Sequence, residues 1–205
     1  SSDLNDIATL AHDRFANKVN SDVVQDEPTK QHSSHPRRDL HVMGDYLVER
    51  HRQAIQEAEM DGAALVGELP FKWETDFDFP QFAGWLHNQD NQEYERNLLV
   101  VIPGRNRAEA VVMGDHYDTA YMEDTFYQAK GGSGARLAAQ GADDNASATA
   151  TLLQAAPILL DLAKEGKLER DVWLIHLTGE EFPSDCMGAR KFCQQLVERS
   201  LRLHL

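Results

Sequence analysis

Cysteine is scarce in this sequence. Its two cysteines, Cys186 and Cys193, lie on a stretch that reads as helix, about 10 Å apart along the axis, which is too far for a disulfide. They read as semi-buried thiols and leave the redox compartment open. Long apolar runs are missing too: no stretch approaches the length of a bilayer span, and the N-terminus lacks the charged-then-apolar pattern of a signal peptide. Positive charge is in short supply. A formal net charge of −14 argues against nucleic acid and anionic membrane surfaces as partners, because both repel it at long range. Glycine clusters in Lys130-Gly131-Gly132-Ser133-Gly134, but the Gly-Lys-Ser/Thr ending of a phosphate loop is absent. No internal repeat is visible. The chain starts at Ser1 rather than Met, which suggests that a segment, such as an export signal, has been removed upstream.

With 205 residues and 41% hydrophobic content, the chain has enough apolar material for one sizeable core. Leu4, Ile7, Ala8, Ala11, Phe15 and Val19 recur at helical spacing and predict an amphipathic first helix. Asn20 to Arg38 is polar, carries Pro28 and Pro36, and reads as a loop in which His32 and His35 are solvated. Residues 1–38 therefore form an N-terminal helix and polar loop, and residues 39–205 form the main domain. A second helix runs from Asp39 to about Met60 with Leu40, Met43, Leu47, Ala54 and Ala58 on one face and Gly62 as its stop.

Strands are expected at Leu69–Asp76, Asn97–Ile102, Glu109–Met113 and Asp171–Leu177. The Pro103-Gly104 turn predicts that the second and third are neighbours in a sheet. Between the last two strands, Ala146, Ala150, Leu153, Pro157 and Leu160 mark a buried helical stripe, kinked at Pro157 and stopped by Gly166. Ala189, Phe192, Leu196, Ser200 and Leu203 mark a final helix. This alternation is that of an α/β fold.

Three segments rich in potential ligands fall at equivalent places. His116-Tyr117-Asp118 follows one apolar run, Glu180-Glu181 follows another, and Gly141-Ala142-Asp143-Asp144-Asn145-Ala146-Ser147 precedes the long helix. In open α/β sheets ligands bind beyond the carboxyl ends of the strands, where such residues converge. Each segment has an ordinary reading when taken alone: a chance triplet, an acidic corner, a helix cap. Together, in this order, they read as a cation site, because burying so many carboxylates without a counter-charge is prohibitive. A neutral imidazole such as His116 is a good zinc ligand, and Asp118 can fix its tautomer and orientation. The two oxygens of Asp144 can bridge two ions about 3.5–4 Å apart. Glu181 can coordinate, leaving Glu180 to take a proton from the attacking water and return it to the leaving amine.

These residues carry a resemblance. Val111 to Asp118, Gly141 to Ser147 and Thr178-Gly179-Glu180-Glu181 resemble the zinc-dependent peptidase family M28, which includes bacterial leucyl aminopeptidases, with weaker similarity from Asn97 to Gly104. The resemblance implies a three-layer α/β sandwich with a mixed central sheet, the phosphorylase/hydrolase-like zinc exopeptidase fold. It implies His116, Asp144 and Glu181 as metal ligands for two zinc ions, with Asp144 bridging, Glu180 as general base, Asp118 as the group orienting His116, and a cis peptide at Asp144-Asn145. A peptide is the implied substrate, and secretion or a periplasmic location is the family habit.

Two further ligands, an Asp and a His, come in that family from segments well after the Glu pair. Here only residues 182–205 follow it. The chain therefore reads as an N-terminal portion of such a domain, truncated on its C-terminal side and inactive alone. Two alternatives are a non-catalytic module, whose bare sheet edge pairs with a partner or a second copy as a homo-oligomer, and a related carboxypeptidase or glutaminyl cyclase.

Overall fold

A computed structural model describes residues 2–12, 15, 18, 36–74, 94–119, 140–181 and 184–199. Helix α1 (Ser2–Leu10) and helix α2 (Pro36–Glu57) come first, followed by strands β1 (Leu65–Phe71), β2 (Glu95–Ile102) and β3 (Asn106–His116). A turn over Ala142–Ala146, non-helical at Asp144 and Asn145, leads into helix α3 (Ser147–Lys164), strand β4 (Arg170–Leu177) and helix α4 (Met187–Glu198). The sheet order is β1-β2-β4-β3. β1 and β2 pair antiparallel, as do β2 and β4, whereas β3 and β4 are parallel, so the sheet is mixed.

Period-two alternation builds the layers. Leu98, Val100 and Ile102 of β2, with Val172 and Leu174 of β4, face α2 and α3 and bury against Leu47, Ile55, Leu152, Ala156 and Leu160. The intervening residues, Leu99, Trp173, Ile175 and Leu177, face the other way, towards Phe192 and Leu196 of α4. The result is a three-layer α/β sandwich. Leu10, Ala11 and Phe15 join the cluster of Leu40, Met43, Leu47, Ala150 and Leu153, which ties the N-terminal segment into the main core.

Several expectations change in the folded chain. β2 and β3 are not neighbours, because β4 lies between them. Their connection crosses the start of β4: the N–H of Gly104 donates to Asp171 Oδ1 at 2.8 Å, that of Arg105 to the Leu168 carbonyl at 3.0 Å and that of Asn106 to the Glu169 carbonyl at 2.7 Å. A Cβ on Gly104 would lie 2.1 Å from the Arg170 carbonyl oxygen, so this crossing requires glycine. Helix α1 stops at Leu10, and Leu4 is 66% exposed, outside the apolar face expected of it. Helix α2 starts at Pro36 rather than Asp39, in keeping with proline's suitability for a first helical turn.

β1 begins at Leu65 and ends at Phe71, with Gly67 and Pro70 inside it, residues that mask a strand and are tolerated because this one is an edge. Pro157 is exposed on α3, and Ala156 takes the buried position. Gly166, at φ 67, ends α3: its N–H donates to the Ala163 carbonyl and that of Lys167 to the Leu162 carbonyl, the pattern of a Schellman cap.

The stretch Ala142–Lys164 is long and apolar enough to cross a membrane by length and composition, contrary to the reading of the sequence. Its buried residues, Ala150, Leu152, Leu153, Ala156 and Leu160 among them, pack into the clusters just described, as a core helix does. Cys193 is exposed on α4 and Cys186 precedes that helix in the left-handed region, so the two thiols do not share a helical face. His32, His35, the glycine cluster 131–134 and His204 lie outside the described residues, as do Ser200 and Leu203.

Candidate metal centre

The parallel pair β3 and β4 ends side by side, and the site is built on those two ends. The N–H of Tyr117 donates to the Leu177 carbonyl at 2.9 Å, which holds the exits of both strands together. Tyr117 turns inward, and its hydroxyl donates to the Arg96 carbonyl at 2.7 Å. Burial keeps that phenol protonated far above its usual range. His116, the last residue of β3, is thereby fixed at the mouth of the sheet.

Asp118 is fully buried. Its carboxylate accepts the N–H of Glu180 at 3.1 Å and that of Glu181 at 3.1 Å, so it anchors the turn that carries the glutamate pair. Nδ1 of His116 lies 3.2 Å from the Asp118 carbonyl oxygen and 3.5 Å from its carboxylate. One buried aspartate thus touches both the imidazole and the Glu-Glu backbone. Asp144 arrives from the other side. Gly141, at φ 58, opens the turn, the N–H of Ala146 closes it on the Gly141 carbonyl at 2.9 Å, and the Asp144-Asn145 peptide is cis.

The ligand atoms of His116, Asp144 and Glu181 all lie within 4.8 Å of one another. Nε2 of His116 is 3.0 Å from Asp144 Oδ1 and 3.8 Å from Glu180 Oε2. An imidazole with two carboxylates is a donor set that zinc accepts. The 3.0 Å separation of Nε2 and Oδ1 approaches the edge, about 3.3 Å, of a tetrahedron with bonds of about 2.0 Å. The residues present fit a metal ion of that kind.

Electrostatics point the same way. Burial pulls the His116 pKa down, but the carboxylates of Asp118, Glu180 and Asp144 outweigh it and hold the imidazole at about 9. Glu181 is pushed up to about 7 by burial, then by the Asp118, Asp144 and Glu180 carboxylates. This crowding of negative charge is what a cation relieves.

Sequence reading missed the support beneath the site. Glu95 and Asn97 are polar residues buried in an apolar strand. Glu95 accepts from Trp73 Nε1 at 2.8 Å and from the Thr178 hydroxyl at 3.1 Å; Asn97 accepts the Thr178 N–H at 3.1 Å and donates to the Gly188 carbonyl at 2.8 Å. Together they hold the segment from β4 to Glu180 and the start of α4. Polar side chains at alternate positions of an apolar strand were the available signal. A second buried chain runs from Asp115 Oδ1 to His176 Nδ1 at 2.7 Å and from His176 Nε2 to His51 Nε2 at 2.7 Å. It joins β3, β4 and α2 on the face of the sheet opposite α4. His51, held well below its usual pKa by burial and then by His176 and Arg50, is neutral there.

Comparison with known proteins bears on the same segments. The fold is similar to that of a leucine aminopeptidase precursor from Bacteroides thetaiotaomicron, with a TM-score of 0.64 and 14% identity over 98% of this chain and 58% of that one. It is similar to the LapA aminopeptidase of Legionella pneumophila, with a TM-score of 0.58 and 16% identity over 98% of this chain and 40% of that one. A glutaminyl cyclase from Fimbriiglobus ruber gives 0.62 and 14% over 97% of this chain and 55% of that one. The chain thus spans between 40% and 58% of the length of these structures. No curated protein matches it in sequence. The sequence profile of peptidase family M28 matches residues 97–203, more than half of the chain and every segment that contributes to the candidate centre, and on that match the chain belongs to peptidase family M28.

Proposed function

We propose that the chain supplies the metal-binding and proton-transfer residues of a zinc-dependent peptidase that removes N-terminal residues from peptides. The convergence of His116, Asp144 and Glu181 at the carboxyl ends of β3 and β4, with Glu180 beside them, is the observation that carries this reading. His116, Asp144 and Glu181 are the residues that would hold zinc there. When bound, zinc supplies Lewis-acid polarisation of the scissile carbonyl and acidifies the attacking water.

The remaining work belongs to side chains. Glu180 Oε accepts the proton of the attacking water and later gives it to the departing amine. Asp118 holds the backbone of Glu180 and Glu181 through their N–H groups, so the base and a ligand move as one unit. The peptide is the partner this chemistry requires. Similarity to the Bacteroides and Legionella aminopeptidases favours an exopeptidase.

Hydrolysis of aminoacyl anilides, assayed with this chain alone and with the chain joined to a segment that supplies the further Asp and His ligands, tests the reading: in the joined form release should appear with added zinc, disappear on chelation, and fall by about 10²–10⁴-fold in Glu180→Gln. Parallel incubation with N-terminal glutaminyl peptides addresses the cyclase alternative, raised by the fold shared with the Fimbriiglobus enzyme. Cyclisation without anilide hydrolysis would overturn the peptidase assignment.

A further inference from the structure

We propose that Lys18 is a positioning residue for the metal centre, joining the chain segment that carries Asp118 to the one that carries Asp144. Lys18 is 1% exposed, and its ammonium donates to the carbonyls of Leu10 at 2.9 Å, Phe15 at 2.8 Å and Gln140 at 2.8 Å. A protonated lysine has three N–H donors, so these carbonyls account for all of them. Two of the bonds tie Lys18 to Leu10 and Phe15. The third reaches across 122 positions of sequence to the residue immediately before Gly141.

The backbone of Lys18 makes the complementary contact. Its carbonyl accepts the N–H of Thr119, the residue after Asp118, at 2.9 Å. One residue therefore grips both arms of the centre: the His116–Thr119 arm through its carbonyl and the Gln140–Asp144 arm through its ammonium. The arms are in contact at that point, since a Cβ built on Gly141 would lie 2.2 Å from Thr119 Cγ2. Small shifts there alter the approach of Asp144 Oδ1 to His116 Nε2, which is 3.0 Å.

Packing alone gives no reason for a buried ammonium. Leu10, Ala11 and Phe15 already bind the N-terminal segment to the core, and burying a charge is costly unless it is fully hydrogen-bonded. What the ammonium adds is direction. Its three bonds fix the Gln140 carbonyl relative to residue 18, and an apolar side chain of the same length fixes nothing. Burial lowers the Lys18 pKa to about 8, and the nearby carboxylates of Asp39 and Asp118 oppose that fall, so the ammonium is still the main form at neutral pH.

This inference rests on reading His116, Asp144 and Glu181 as metal ligands, and the test separates the two. Cobalt(II), whose visible spectrum reports coordination geometry, is titrated into the purified chain and into Lys18→Met, Lys18→Arg, His116→Ala and the core control Ile55→Ala, with thermal unfolding recorded for each. Lys18→Met is expected to bind cobalt at least tenfold more weakly with an altered visible spectrum. Ile55→Ala, also destabilised, should keep the parent affinity and spectrum. Lys18→Arg retains the charge but not the three-way geometry and should fall between them; it carries the test if the Met variant does not fold. Parent affinity and spectrum in the folded Lys18 variants would overturn the positioning role. Equal binding by the parent chain and His116→Ala would overturn the metal-site reading beneath it.

Discussion

Asp118 concentrates more of the site than any other single side chain. It lies under His116, accepts the N–H groups of Glu180 and Glu181, and is fully buried. In Asp118→Asn one carboxylate oxygen becomes an NH2 group that confronts backbone N–H donors. The expected loss of stability is about 1–3 kcal/mol, the usual cost of an unsatisfied buried polar group, and zinc affinity should fall with it. Denaturant unfolding and zinc titration of the same variant check both. Glu180 differs, because its carboxylate is aimed into the site rather than holding it together. In a form completed with the two further ligands, Glu180→Gln should lower kcat on an aminoacyl anilide by about 10²–10⁴-fold while leaving zinc content unchanged. Lost zinc would mean that Glu180 is a ligand rather than a base.

The five candidate residues that the fold brings together, His116, Asp118, Asp144, Glu180 and Glu181, could be picked from the sequence because each stands at a strand end or just before a helix in a distinctive run of acids, imidazole and small residues. Lys18 was not, since nothing in Asn17-Lys18-Val19 distinguishes it from a solvated lysine. Its burial depends on carbonyls at Leu10, Phe15 and Gln140 that only the fold brings together.

At the scale of elements, the helices were easier to read than the sheet. Leu40, Met43 and Leu47 repeat at helical spacing and are buried in α2 as expected, because a helical stripe is a local property. Strand order is not local. The short Pro103-Gly104 connection implies a hairpin, yet a strand 67 residues beyond Gly104 passes beneath it, received by the Gly104 N–H and by the absence of a Cβ there. The start of α4 makes a similar demand. A Cβ on Gly188 would lie 1.8 Å from the Thr178 carbonyl oxygen, two residues before the glutamate pair. Gly188→Ala must therefore push α4 away from the end of β4. A loss of about 1–3 kcal/mol is expected, as for other overpacked sites, together with weaker zinc binding. Calorimetric unfolding with and without zinc separates the two: an equal fall in both melting temperatures would show that α4 supports the fold but not the site.

Taken whole, the molecule places a cluster of acids at one end of an otherwise well-packed sandwich, and this gives its stability a characteristic pH dependence. In the metal-free chain His116 sits at about 9 and Glu181 at about 7, both above their ordinary values. A raised pKa contributes stability that is complete below the ordinary value and is lost as pH rises through the folded one. Between 4.5 and 7 for Glu181, and between 6.5 and 9 for His116, the metal-free chain should become less stable as these groups lose their protons. Zinc reverses the sign, since its ligands must be deprotonated to bind. The gap in melting temperature between zinc-loaded and chelated protein should widen from about pH 5 to about pH 8. A gap independent of pH would place the ion away from His116 and Glu181.

The central claim is that His116, Asp144 and Glu181 form one metal centre, and zinc binding measured by calorimetry tests it most directly. The account predicts saturable zinc binding by the parent chain, weakened at least tenfold in each of His116→Ala, Asp144→Ala and Glu181→Ala. A folded parent chain that takes up no more zinc than the variant lacking all three would contradict it.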